Sequence, residues 1–191
     1  MNARMKKHIQ ASIDTKSKIL GDDAFLQHLE ETAKHCTQAI KAGKKILFAG
    51  NGGSASDAQH LAAELVGRYK FDRAPLAAIA LTTDTSALTA IGNDYGFNDV
   101  FSRQVTALAN DGDVFVGIST SGNSANILSA CEAARAKNCS IIGMSGVKGK
   151  LMEISDYALA VPAEETATIQ EAHIMLGHIL CDLIEQKLFK Q

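Results

Sequence analysis

Five short apolar runs punctuate the sequence after Gly43: Lys45–Ala49, Leu76–Leu81, Val114–Ile118, Ser140–Met144 and Tyr157–Val161. Each has the length of a buried strand, and the stretches between them carry helical patterning. Strands that alternate with helices are joined by crossovers and therefore run parallel, with helices covering both faces of the sheet. The expected fold is α/β, a doubly wound five-stranded parallel sheet. Its helices are expected at Ser54–Gly67, Thr85–Gly92, Asn98–Ala109 and Ala125–Lys137, with a turn near Gly149–Ile154 and a long closing helix from about Thr166 to Leu188. Before the first strand, Met1 to Ala42 reads as two helices, broken at Gly21-Asp22-Asp23, where a glycine ends one and an aspartate caps the next. Ligands of such sheets sit at the carboxyl ends of the strands, so the residues just after each strand are the candidates for function.

Composition supports one domain spanning 1–191, with an N-terminal helical segment (1–42) ahead of the α/β core and closing helix (43–191). At 46% apolar and 21% charged residues the chain can bury a full core. Its 19 basic and 21 acidic residues leave a net charge of -2, too little field to attract nucleic acid or a membrane surface. No apolar run approaches the roughly 18 residues that span a bilayer, and no apolar stretch after the first charges makes a signal peptide. A cytoplasmic protein is expected. Cys36, Cys131, Cys139 and Cys181 form no C-x-x-C pair and lie within apolar or helical patterns, which makes them reduced core residues.

Two loops look suited to an anion. After the first strand stands Gly50-Asn51-Gly52-Gly53-Ser54-Ala55-Ser56-Asp57, where glycines let the backbone approach a ligand and Ser54 or Ser56 can cap the following helix. The dinucleotide fingerprint fits poorly, because Pro75 stands about 20 residues on, where an acidic residue would meet a ribose. A Walker lysine is also missing, which argues against a nucleoside triphosphatase. After the third strand comes Ser119-Thr120-Ser121-Gly122-Asn123-Ser124. A capped turn needs one serine; four hydroxyls and a glycine exceed that need and point to phosphate oxygens.

His60 and Glu64, four residues apart on the helix after the first loop, share one face. The pair suits a metal ion or proton transfer, and equally a plain surface hydrogen bond. Gln170, Glu171, His173 and His178 interrupt an otherwise apolar helix, where a polar side chain needs a partner.

The string Gly50–Ser54, the segment Ala90-Ile91-Gly92-Asn93-Asp94-Tyr95-Gly96-Phe97 and the loop Gly117–Ser124 together resemble the sugar isomerase (SIS) domain family, over nearly the whole chain. Within it the resemblance is to the branch that converts sedoheptulose 7-phosphate into D-glycero-D-manno-heptose 7-phosphate, for bacterial heptose and lipopolysaccharide-core precursors. It implies a homotetramer and one zinc ion per subunit held by His60, Glu64, Gln170 and His178. Under this reading Glu64 takes the carbon-bound proton, His178 serves the oxygens, and the metal polarises the carbonyl. Asn51, Asn93, Asp94 and Gln170 would hold sugar hydroxyls, Ser119, Thr120, Ser121 and Ser124 the phosphate, and Gly52, Gly53 and Ser54 would line the substrate. His173 receives no role, and His8, His28 and His35 read as structural or solvent-facing. The chain departs from many members at Thr168, where they carry an arginine.

A rival within the same frame is a non-catalytic SIS-domain protein that associates with the bacterial replication initiator. In that branch the proton-transfer glutamate and the final histidine are replaced and the second glycine of the loop is altered, whereas Gly53, Glu64 and His178 stand here. A sugar-phosphate-sensing regulator would carry a DNA-binding domain, for which this fold leaves no room in 191 residues. Gln170 and His178 are eight residues apart, about 12 Å of helical rise, so one ion can hardly take both from one straight helix. Either the closing helix begins after Gln170, or it bends, or the two side chains serve sites built from different subunits. The apolar closing helix favours the last, so a shared site is expected, with Glu64 and His178 from different chains at some sites.

Overall fold

The computed structural model describes residues 2–190. Helices α1 (Ala3–Leu20) and α2 (Asp23–Lys41) precede β1 (Ile46–Gly50). The Asp22 carboxylate accepts the Phe25 N–H at 2.9 Å, the N-cap expected after the Gly21 break. The chain continues through α3 (Gly53–Val66), β2 (Ala78–Ala80), α4 (Thr85–Asp94), α5 (Ser102–Leu108), β3 (Val114–Ile118), α6 (Ala125–Ala136), β4 (Ser140–Gly146), α7 (Lys150–Ile154), β5 (Tyr157–Val161) and α8 (Thr166–Phe189).

All strand pairs are parallel, in the order β2-β1-β3-β4-β5. The order reverses between β1 and β3, whose carboxyl ends therefore open the crevice where ligands of doubly wound sheets sit. One apolar layer packs α2, α3 and α8 on Ile46, Phe48, Val116, Ile142 and Met144. The other packs α4 to α7 on Leu47, Phe115 and Ile141. All four cysteines are free and buried, and burial pushes the Cys36, Cys131 and Cys181 thiols up to about 12.

Several boundaries differ from expectation, β4 reaching Gly146 and the turn after it forming the short helix α7 among them. The second strand pairs over three residues only; it is an edge strand, Pro75 offers no N–H, and the Leu76 N–H goes instead to the Leu65 carbonyl of α3. The expected helix Asn98–Ala109 divides into a 3-10 turn at Phe97–Asp99 and α5. Helix α4 continues through Gly92 to Asp94.

The layer that carries the site depends on one close approach. A Cβ on Gly177 of α8 would stand 2.5 Å from Leu61 of α3, which is itself buried in the core. Without that atom the two helices lie side by side, with Gly53 near Gln170 and His60 near His178.

Candidate active site

At the switch point, α3 starts from Gly52, which is the N-cap at φ +55 and makes no side-chain cap bond. The expectation that Ser54 or Ser56 caps this helix is thus corrected: glycine takes the positive φ, and Ser54 lies buried inside the first turn. The Asn51 side chain exchanges two hydrogen bonds of 2.8 Å with Asn126, tying the first loop to the start of α6. Asn126 escaped the sequence reading, although it stands two residues beyond the serine-rich loop.

In that second loop the Ser124 hydroxyl sits at the N-cap of α6 yet caps nothing. It lies 2.9 Å from the Ser119 hydroxyl, which is 3.4 Å from that of Ser121. The converging hydroxyls are thus left for something other than the helix end, and the α6 N-terminus behind them favours an anion. Gly122, at φ +67, lets the loop lie against Lys148 and Gly149.

Further along α3, His60 and Glu64 meet His178 of α8. The His60 Nε2 is 2.9 Å from the His178 Nε2 and 3.2 Å from the Glu64 Oε1, and three ligand-type atoms of the group lie within 4.8 Å of one another. Tetrahedral ligands at about 2.0–2.1 Å from an ion stand roughly 3.3 Å apart, so two imidazoles and a carboxylate at these separations fit a catalytic site that keeps a fourth position open. The Tyr69 ring stacks on His178 at 5.7 Å. Asp57, one turn before His60, has a buried oxygen without a partner; burial raises its pKa, and the His60 charge opposes this. Neither Tyr69 nor Asp57 was singled out from sequence, where nothing in their spacing marks them.

Other candidates lie elsewhere. Gln170 rests against Gly53 at the start of α3, about 12 Å of helical rise from His178 on an α8 that begins at Thr166 and so contains both. Thr168 is buried. Asn93 and Asp94 pair with each other at 2.7 Å at the end of α4, whose Leu88 and Ile91 pack on the opposite sheet layer from α3 and α8. Glu64 and His178, expected from different chains, meet within one chain, because the Gly177 contact seats α8 beside α3. His173 is fully buried and neither ring nitrogen has a hydrogen-bond partner.

Residues 13–146 match the family model described as SIS domain. The chain is 51% identical over 191 residues, 100% of its own length and 96% of the relative, to a phosphoheptose isomerase of Aneurinibacillus thermoaerophilus. The chain belongs to the phosphoheptose isomerase family of SIS-domain proteins. It is also 52% identical over 190 residues to phosphoheptose isomerase 2 of Campylobacter jejuni, covering 99% of this chain and 94% of that one. Among solved structures, the phosphoheptose isomerase of Neisseria gonorrhoeae superposes with a TM-score of 0.89 at 48% identity, covering 96% of this chain and 97% of that one. That of Francisella tularensis gives 0.92 at 38%, covering 97% and 100%.

Proposed function

We propose that the protein is an aldose-ketose isomerase that converts sedoheptulose 7-phosphate into D-glycero-D-manno-heptose 7-phosphate. The observation that carries this reading is the His60–Glu64–His178 group in a chain similar over its full length to phosphoheptose isomerases. Isomerisation moves one proton between neighbouring carbons and another between their oxygens, so it needs a base, an acid-base group and stabilisation of an enediolate. Glu64 takes the carbon-bound proton, and His178 gives and takes protons at the two oxygens. His60, Glu64 and His178 would hold zinc, which when bound supplies Lewis acidity at the carbonyl oxygen. Ser119, Thr120, Ser121 and Ser124 grip the phosphate, and the Ser124 hydroxyl, which turns to Ser119 and caps no helix N–H, supports this.

The functional molecule is a homotetramer in the cytoplasm. Met5, Ile9 and Ile13 form an exposed i, i+4 ridge along α1, which suits packing on a second copy, and among the described residues no helix is long and apolar enough to cross a membrane. Gln170, Asn93 and Asp94, which lie apart from the triad of their own chain, reach a neighbouring subunit's substrate. The rival of a non-catalytic, initiator-associated protein gains nothing from the assembled triad. Incubation with sedoheptulose 7-phosphate tests the reading: aldose should form, cease after chelation and return with zinc. Absence of aldose from the zinc-loaded protein would overturn it.

A further inference from the structure

Behind the triad lies a buried ion pair that bears no chemistry of its own. The Arg73 side chain is 1% exposed and that of Glu185 0%, and the Arg73 Nε donates to the Glu185 Oε1 at 2.9 Å. The rest of the guanidinium fork donates to main-chain carbonyls at the end of α3: Glu64 at 2.9 Å, Leu65 at 2.8 Å and Gly67 at 3.4 Å, as well as to Ala74 at 3.0 Å. The last carbonyls of a helix have no partner within it, and here one arginine holds three of them. Glu185 in turn accepts the Tyr69 N–H at 3.1 Å and the Lys70 N–H at 2.9 Å.

These bonds converge on the site from both sides. Glu64 carries the carboxylate of the triad, and its own carbonyl is one that Arg73 holds. Tyr69, whose ring lies on His178, has its backbone pinned by Glu185. Glu185 stands on α8 seven residues, or two turns, after His178. The pair therefore joins the end of α3 to the helix that supplies the third member of the triad. Two charges buried at such cost are no argument for stability, since an apolar pair of similar volume often serves a core as well. Their arrangement is explained by what they hold in place.

We propose that Arg73 and Glu185 are positioning residues that set the separation of Glu64 and His178 and seat the Tyr69 ring on His178. The inference rests on the functional reading above for the consequences of misplacement, though the placement itself is a property of the chain alone.

Glu185→Gln is the sharpest test. Glutamine keeps the shape but must turn its NH2 either toward the Arg73 and Tyr69 N–H groups, which share one carboxylate oxygen, or toward that of Lys70 on the other, so a donor faces a donor. Zinc affinity, measured by competition with a chromophoric chelator, should fall about tenfold or more, as for other residues that orient metal ligands. Turnover should fall by at least as much while KM stays within about twofold, because the phosphate grip is untouched. NMR of the metal-free protein gives a readout that needs neither metal nor substrate: the ring-current shift of the His178 ring protons by Tyr69 should shrink. Arg73→Lys keeps the charge and loses the fork, and should lie between wild type and Glu185→Gln in all three. Wild-type zinc binding, turnover and ring shift in a folded Glu185→Gln protein, or in Arg73→Lys should Glu185→Gln fail to fold, would overturn the proposal. A wild-type protein without isomerase activity would instead overturn the functional reading and leave the ring shift to decide the positioning role.

Discussion

His173 shows how a single residue can be plain in the sequence and still surprise in the structure. A histidine on an apolar helix face was expected to find a partner, yet both nitrogens are buried without one. Burial lowers its pKa from 6.5 to about 4, with the nearby Ser145 backbone opposing the shift too weakly to reverse it. The folded chain thus holds the neutral ring while the unfolded chain takes up a proton below pH 6.5. The stability gained from neutral burial is whole above that pH and is lost as pH falls toward 4, by about 3 kcal/mol in all. Urea midpoints between pH 7 and 4 should show this slope, and His173→Met should flatten it. An unchanged slope in that variant would assign the acid sensitivity to other groups.

At the scale of elements, the five strands and seven of the eight α-helices among the described residues were legible because apolar runs of strand length and helical periodicity are local signals; β3 and β5 lie where the sequence places them, while the short α7 was expected only as a turn. The shortened β2 was not legible, since it depends on edge pairing rather than on pattern, and the split between the 3-10 turn at Phe97–Asp99 and α5 was not either. The same divide runs through the site. His60 and Glu64 share a face by spacing alone, whereas the roles of Arg73, Glu185 and Tyr69 follow from contacts more than a hundred residues apart in sequence. The approach of α3 to α8 hangs on Gly177, a glycine in a helix that periodicity alone would not single out. Gly177→Ala should press a methyl onto Leu61, cost about 1–3 kcal/mol and part His60 from His178. Calorimetry with a zinc titration would check this: a lower Tm with weakened zinc binding is expected, and wild-type values for both would show that the helices do not need the contact.

In the whole molecule the triad lies on α3 and α8, which pack one face of the sheet, and Asn93 and Asp94 end α4, which packs the other; the homotetramer proposed above would bring them together across subunits. Chains carrying Glu64→Gln and chains carrying His178→Gln, refolded together, should stay inactive, because every triad then carries one lesion. Glu64→Gln mixed with Asp94→Asn should recover part of the activity, since some sites then combine an intact triad with an intact loop. Recovery in the first mixture, or none in verified oligomers of the second, would contradict this division. The claim on which all of this rests is that Glu64 moves the carbon-bound proton. Conversion of sedoheptulose 7-phosphate, followed by NMR for the wild-type and Glu64→Gln proteins at equal zinc content, tests it most directly. The account predicts aldose from the wild type and at least about a thousandfold less from the variant; near-normal turnover by Glu64→Gln would contradict it.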